Sequence, residues 1–294
     1  MNKAVGCLGH IFQRLREAPA DGCMGWPMIK SVAEDIDAII DMDIDIDIVS
    51  HSSTFQTADE RLQWHSLYTA MLAMKLAKEV NPLICPAQDI GGAALLHDIG
   101  FLQMPDIHLG ANNRPDYRQH VEFSVAIARS IQAPAHVLSM IANHHERLDG
   151  TGFPAGLTGE QMDRSSQIVA ISDVFEHAIT DLFFKPAVPG SQQSEVDLAT
   201  IFKFYRKSFD NELLKKMIHL IGFYPVGAMV ELNNRCICEV IRQNVDLPLR
   251  PVLKLVMDSA GNHSDATKLI DLKQVSVLYV TRTLAKPSAK HDTH

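Results

Sequence analysis

Positive charge is what this chain has least of. Its 27 lysines and arginines face 35 aspartates and glutamates, a net charge of −8, which excludes the basic field that a nucleic-acid polymer requires. Cysteine is scarce as well. Cys7, Cys23, Cys85, Cys236 and Cys238 are odd in number and irregular in spacing, so no disulfide framework is implied. Cys236-Ile237-Cys238 lacks a Cys or His partner at metal-site spacing, and on an alternating strand both sulfurs simply face one side. No apolar run reaches the ~18 residues of a membrane span, and Met1 to Gly6 lacks the long apolar core of a signal peptide. A cytoplasmic, soluble protein without a membrane partner is the expectation.

What the chain does have is histidine beside carboxylate. His65 comes first, then His97-Asp98-Ile99-Gly100, then His120. The run His144-His145-Glu146-Arg147-Leu148-Asp149-Gly150-Thr151-Gly152-Phe153-Pro154 follows, and then Asp173. An Asp in the apolar context Ala93-Ala94-Leu95-Leu96 must be paired or liganded, since a lone buried charge is costly. Imidazoles and carboxylates spread over consecutive helices are how a helical domain gathers ligands for more than one transition metal ion.

The organisation around these residues reads as mainly α. Residues 1–57 form an N-terminal helical segment, with apolar spacing from Met28 to Ile40 and Ser31-Val32-Ala33-Glu34 resembling a capping box. Asp41 to Ile48 alternates and predicts, by period, a strand with four carboxylates on one face. A calcium loop counted from Asp41 fails, because its sixth and twelfth positions hold Ile46 and Ser52 rather than Gly and Glu. Residues 58–222 carry helical patterns at Ser66–Glu79, Asp89–His97, Tyr117–Ile131, Ala135–Arg147, Ser166–Thr180, Leu198–Ser208 and Glu212–Ile221. Lys185 to Ser194 reads as an exposed loop. Residues 223–285 predict a small antiparallel β extension with strands at Val226–Leu232, Cys236–Ile241, Val252–Met257 and Val275–Val280. Residues 286–294 read as a disordered tail.

The ordered set of His65, His97-Asp98, His120, His144-His145 and Asp173, with the Gly150 to Pro154 block, resembles the HD-GYP family. These are HD-superfamily phosphodiesterases that hydrolyse the bacterial second messenger cyclic di-GMP. The resemblance covers roughly residues 58–222, and the segment from Gly222 on is similar to the β extension that follows this domain in many members. It also places the acidic alternating stretch in helix.

The resemblance implies an HD-type helical bundle holding two divalent transition metal ions, Fe or Mn in preference. His65, His97, Asp98 and Asp173 match the ligands of one ion. Asp98, His120, His144 and His145 match those of the other, with Asp98 as the catalytic bridge and a hydroxide between the ions as nucleophile. Cyclic dinucleotide is then the expected substrate. The Gly150, Gly152, Phe153, Pro154 loop is the expected docking surface for a signalling protein, and a homodimer is compatible with all of this.

Several positions depart from the family pattern. Phe101 stands where many members carry Lys, and Arg61 where three-metal members have Glu. Leu182 and Phe184 stand where an Arg and a Tyr contact substrate, leaving Arg114 and Lys185 as substrate-binding cations. Gly152-Phe153-Pro154 replaces Gly-Tyr-Pro. An intact metal side and an eroded substrate side leave two further readings open. One is a degenerate module that signals through contacts with little activity; the other is different HD-superfamily chemistry at a di-iron centre.

Overall fold

The computed structural model describes residues 2–17, 25–41, 57–80, 85–104, 117–184, 204–244, 246–264 and 268–284. Arg114, Lys185, the Asp43 to Ile48 alternation and the tail lie outside them. So do most of the expected Leu198–Ser208 helix and the side chains of Leu182 and Phe184.

The described residues fall into two units. The first lies within residues 1–44, 55–176 and 205–217, and the second within 45–54, 177–204 and 218–294. The helices are α1 (Asn2–Glu17), α2 (Trp26–Asp41), α3 (Ala58–Val80), α4 (Ala87–Leu96), α5 (Gln119–Ser130), α6 (Ala135–Asn143), α7 (Arg164–Phe184) and α8 (Asn211–Ile221). A 3-10 turn, Ile99–Gln103, follows α4. In the first unit α3 is the central element. Leu62, His65 to Met74, Leu76 and Ala77 are all buried, an apolar surface nearly all round that only an enclosed helix carries. Helix α4 packs against α3, α2 and α6, and α5 packs against α6 and the 3-10 turn.

Two sequence expectations fail here. Helix α2 starts at Trp26, so Ser31 to Glu34 lie within it and cap nothing; Pro27 in the first turn, with its fixed φ, is the actual start signal. Helix α6 ends at Asn143, four residues before the expected Arg147.

The second unit carries a five-stranded antiparallel sheet in the order β4-β3-β2-β1-β5. Its strands are β1 (Met229–Leu232), β2 (Ile237–Arg242), β3 (Val252–Met257), β4 (Leu269–Asp271) and β5 (Val280–Leu284). Val230 pairs with Cys238 and Leu253 with Ile270, and all four of these side chains except that of Ile270 are buried. The strand expected at Val275–Val280 is instead a turn that leads into β5, and Val277 is 74% exposed. Arg250 explains the turn: its guanidinium donates to the carbonyls of Leu272, Ser276 and Leu278, which a strand would point elsewhere.

Candidate metal centre

The centre is assembled from helix ends. His97 and Asp98 leave the C-terminus of α4, where the apolar run Ala93 to Leu96 is completely buried and delivers them to the interior. Asp98 sits at φ −107°, ψ 6°, the bridge conformation that breaks helical regularity and lets neighbouring side chains converge. His144 and His145 leave α6 in the same way, and its early end is what frees both rings. His65 comes from the middle of α3, His120 from the first turn of α5 and Asp173 from α7.

The structure brings all seven side chains together. His65, His97, Asp98, His120, His144 and Asp173 are at most 5% exposed, and only the His145 side chain reaches 11%. Asp98 divides its two oxygens. Oδ2 lies 3.5 Å from His65 Nε2 and 3.6 Å from His97 Nε2, while Oδ1 lies 3.2 Å from His120 Nε2 and 3.4 Å from His144 Nε2. Asp173 Oδ1 completes the first group, 3.4 Å from His65 Nε2 and 3.6 Å from His97 Nε2. His145 Nε2 completes the second, 3.1 Å from His120 Nε2.

The hydrogen bonds at the outer ring nitrogens fix which lone pairs face inward. Nδ1 of His97, His120 and His144 donates to the carbonyls of Ala94, Tyr117 and Ile141, and Nδ1 of His65 donates to Glu176 Oε2 at 2.5 Å. Each Nε2 is therefore the ring nitrogen that faces inward. Nε2 atoms of His65 and His97 stand 3.0 Å apart and those of His120 and His144 3.4 Å apart, a spacing that needs a proton or a metal ion between the facing nitrogens. Facing lone pairs at such distances repel unless a cation lies between them. Ligand bonds of ~2.0–2.2 Å place neighbouring donors of one ion about 3.0–3.5 Å apart, which is the spacing seen here. Asp98 Oδ1, buried and accepting no hydrogen bond, is the orphan that such an ion would satisfy.

The electrostatics agree. Burial raises the Asp98 carboxyl, but the surrounding His97, His120, His144 and His65 outweigh it and hold it well below the usual range. Burial lowers the His144 imidazole, and burial with the neighbouring His144 charge holds His145 far below its ordinary value. Burial alone would also lower His65; Glu176, Asp173 and Asp98 reverse it and hold the ring well above the normal range. An ionised Asp98 beside the lowered His144 and His145 imidazoles is the ligand state a divalent ion needs, and in the first group an ion would take the place of the proton that the carboxylates favour on His65.

Glu176 was not singled out from sequence. It is 4% exposed, three residues beyond Asp173 on the same face of α7, and it orients His65 from behind. The signal was there: two carboxylates at helical spacing in an otherwise apolar helix.

The loop after His145 is held from inside. Glu146, fully buried, accepts the backbone N–H groups of Ala155 (2.6 Å), Gly156 (3.1 Å) and Leu157 (2.9 Å). Arg147 donates to the carbonyls of His144 and Glu146 and stacks over Phe209. Gly150 N–H donates to Arg147 O. At Gly152 a Cβ would stand 2.4 Å from Arg147 N and 2.5 Å from Glu146 Cα, so only glycine fits. Phe153 then lies against His145, ring centroids 4.5 Å apart, with the exposed Arg118 guanidinium 4.7 Å over its other side; Pro154 is exposed. Replacing Glu146 by Ala should cost about 2–3 kcal/mol, ~1 for each amide left to find water. A melting temperature lower by roughly 5–10 °C, with faster hydrogen exchange at 155–157, is the expected result; unchanged exchange there would mean the loop is held by other contacts.

Phe101 is only 7% exposed and stacks parallel on the His120 ring, centroids 4.4 Å apart at 10°. It is a wall of the second ligand group, with Tyr117 tilted beside it. Arg61 is exposed, one turn before His65 on α3.

Residues 45–195 match the HD domain family, just over half of the chain. The chain belongs to the HD domain family. Residues 229–291 match the KOW domain associated with HD domain, covering the five strands. The HD-GYP resemblance read from the motifs is borne out by the relatives. The chain is 29% identical over 227 residues to the cyclic di-GMP phosphodiesterase PA4108 of Pseudomonas aeruginosa, covering 74% of this chain and 53% of that protein. It is 28% identical over 199 residues to the cyclic di-GMP phosphodiesterase PdeB of Borreliella burgdorferi, covering 66% and 52%. A shorter match, 36% over 118 residues, links it to 3'3'-cGAMP-specific phosphodiesterase 1 of Vibrio cholerae, covering 38% and 27%. The chain thus spans about half the length of the first two relatives. Among solved structures, Bd1817, an HDG"Y"P protein from Bdellovibrio bacteriovorus, shares the fold at a TM-score of 0.52 and 18% identity, covering 73% and 69%. No described helix is long and apolar enough to cross a membrane.

Proposed function

We propose that this chain is a dimetal phosphodiesterase of cyclic dinucleotides, cyclic di-GMP first among them, with residues 58–222 as the catalytic module and 223–285 as its β extension. One observation carries the reading: the buried Asp98 carboxylate offers one oxygen to His65 and His97 and the other to His120 and His144. His65, His97, Asp98 and Asp173 would hold one ion, and Asp98, His120, His144 and His145 the other, with Fe or Mn suited to this nitrogen and oxygen set. When bound, such ions supply Lewis acidity toward a phosphoryl oxygen and lower the pKa of water.

The chain's own residues do the rest. Glu176 fixes the His65 ring, and Glu146 fixes the loop that carries Phe153. Phe153, beside His145 at the less buried edge of the centre and covered by Arg118, offers its ring edge to a guanine base. Arg118, over that ring, supplies a cation for a phosphate or for the base edge. Replacing Arg118 by Ala should raise KM for cyclic di-GMP about tenfold and leave the metal content unchanged. A changed metal content with unaltered KM would remove Arg118 from the substrate side.

The test is anaerobic purification, elemental analysis and assay against cyclic di-GMP and related cyclic dinucleotides. Close to two equivalents of Fe or Mn, counted apart from zinc, with turnover supports the proposal; a reproducible Fe-plus-Mn value near zero or near three overturns it. Phe101 favours one second reading, a metal-holding module that signals by contact through the Gly150 to Pro154 loop. Its ring occupies a wall where a phosphate-facing cation would stand. A chain with full metal content and no turnover, either as it stands or after Phe101→Lys, is that module; a gain in kcat/KM from the lysine marks a weakened enzyme.

A further inference from the structure

A second group of donors lies at the opposite ends of the helices that build the Asp98 centre. Cys85 stands two residues before α4, Asp89 lies in its first turn, and His136 is the second residue of α6. One donor atom from each lies within 4.8 Å of the others. Asp89 is 6% exposed; its Oδ2 receives His136 Nε2 at 2.9 Å, and its Oδ1 accepts no hydrogen bond, with Lys30 Nζ 3.5 Å away. Cys85 and His136 line a cavity of ≈ 570 Å³ whose wall also includes Ser139, Asp163, Arg164 and Ser165.

A helix-starting carboxylate paired with a lysine accounts for Asp89 alone. It does not account for the thiol. Cys85 stands beside this buried anion, its sulfur within 4.8 Å of an Asp89 oxygen and a His136 ring nitrogen. A thiolate, a carboxylate and a neutral imidazole together neutralise one divalent ion, and the sulfur separates this set from the sulfur-free Asp98 centre. Thiolate selects zinc over the harder metals. Three protein ligands with the fourth position toward a cavity is the arrangement of an open zinc site. The half-exposed His136 has room to turn toward the ion, while Asp89 is buried.

We propose that Cys85, Asp89 and His136 form a second, mononuclear metal site that takes Zn²⁺ and clamps the starts of α4 and α6 together. Eight residues on from Asp89 is His97, and eight on from His136 is His144, about 12 Å along each helix. The clamp therefore sets the spacing at the far ends, where His97-Asp98 and His144-His145 emerge.

Cobalt titration of the full chain tests this, because cobalt reports sulfur ligation by a near-ultraviolet charge-transfer band. The wild type and Asp98→Ala, whose first centre is disabled, should both show the band, saturating at one equivalent and bleached by Zn²⁺. Cys85→Ser should lack it. His136→Gln, a partly exposed change that leaves the fold intact, should weaken cobalt binding by at least the roughly tenfold that loss of an outer-shell partner causes. In Asp98→Ala, one equivalent of Zn²⁺ should slow hydrogen exchange in the first turns of α4 and α6. A wild type without the band, or a band that survives Cys85→Ser or is indifferent to His136→Gln, overturns the site. A band without added protection overturns the clamp. Loss of the band in Asp98→Ala alone would assign it to the first centre and overturn the proposal as well.

Discussion

Asp98→Ala should empty both halves of the centre at once, because each half depends on one oxygen of the same carboxylate. Fe and Mn content should fall from about two equivalents to well below one, and turnover of cyclic di-GMP by about 10³-fold or more. The thermal consequence is separable from activity. A ligand held at about a thousand times its dissociation constant contributes ~4 kcal/mol to stability, roughly 10 °C for a domain of this size. Chelated wild type should melt lower than the loaded protein and recover when Fe or Mn is added. The mutant should melt low and stay low under the same addition. A mutant that regains metal and melting temperature would show that Asp98 is not the shared ligand.

Gly100→Ala should strike only one half. A Cβ at this position would stand 2.0 Å from the His120 carbonyl oxygen and 2.7 Å from Ser124 N, both backbone atoms of α5 that cannot swing aside. The Gly100 amide itself donates to Ser124 Oγ at 2.8 Å, so the turn and the helix are tied where they touch. The added methyl must push the start of α5 outward and carry His120 with it. Overpacking of this kind costs about 1–3 kcal/mol, and backbone contact places it at the upper end. The expected protein is folded, melts several degrees lower, and retains close to one metal equivalent on the His65 and His97 side. Two equivalents retained, or none, would contradict this division of ligands.

The glycine of His97-Asp98-Ile99-Gly100 shows what a sequence conveys and what it withholds. The motif marks the position; only the approach of α5 shows why no side chain fits. The seven side chains of the centre were legible from the order of the His and Asp motifs and the family that order resembles; only Asp98 was marked by its apolar surroundings. The end of α6 was not legible. His144, His145, Glu146 and Arg147 are all compatible with helix. The chain leaves the helix because Glu146 captures amides nine to eleven residues downstream, a pairing no local window contains. Arg118 escaped notice for a similar reason, since its role depends on Phe153 coming to lie beneath it. The strand placed at Val275–Val280 failed because Arg250, far away in sequence, claims the carbonyls there. Local periodicity carried the helices well; side chains reaching across the fold decided the exceptions.

The carbonyls of Ala94, Tyr117 and Ile141 each hold the histidine three residues ahead. These are main-chain atoms, present whatever side chain is attached. The direction in which these three Nε2 atoms point is thus insulated from amino-acid replacement around the rim. In the proposed phosphodiesterase, Phe153 and Arg118 are the positions to exchange to retune what is recognised without disturbing the rings beneath.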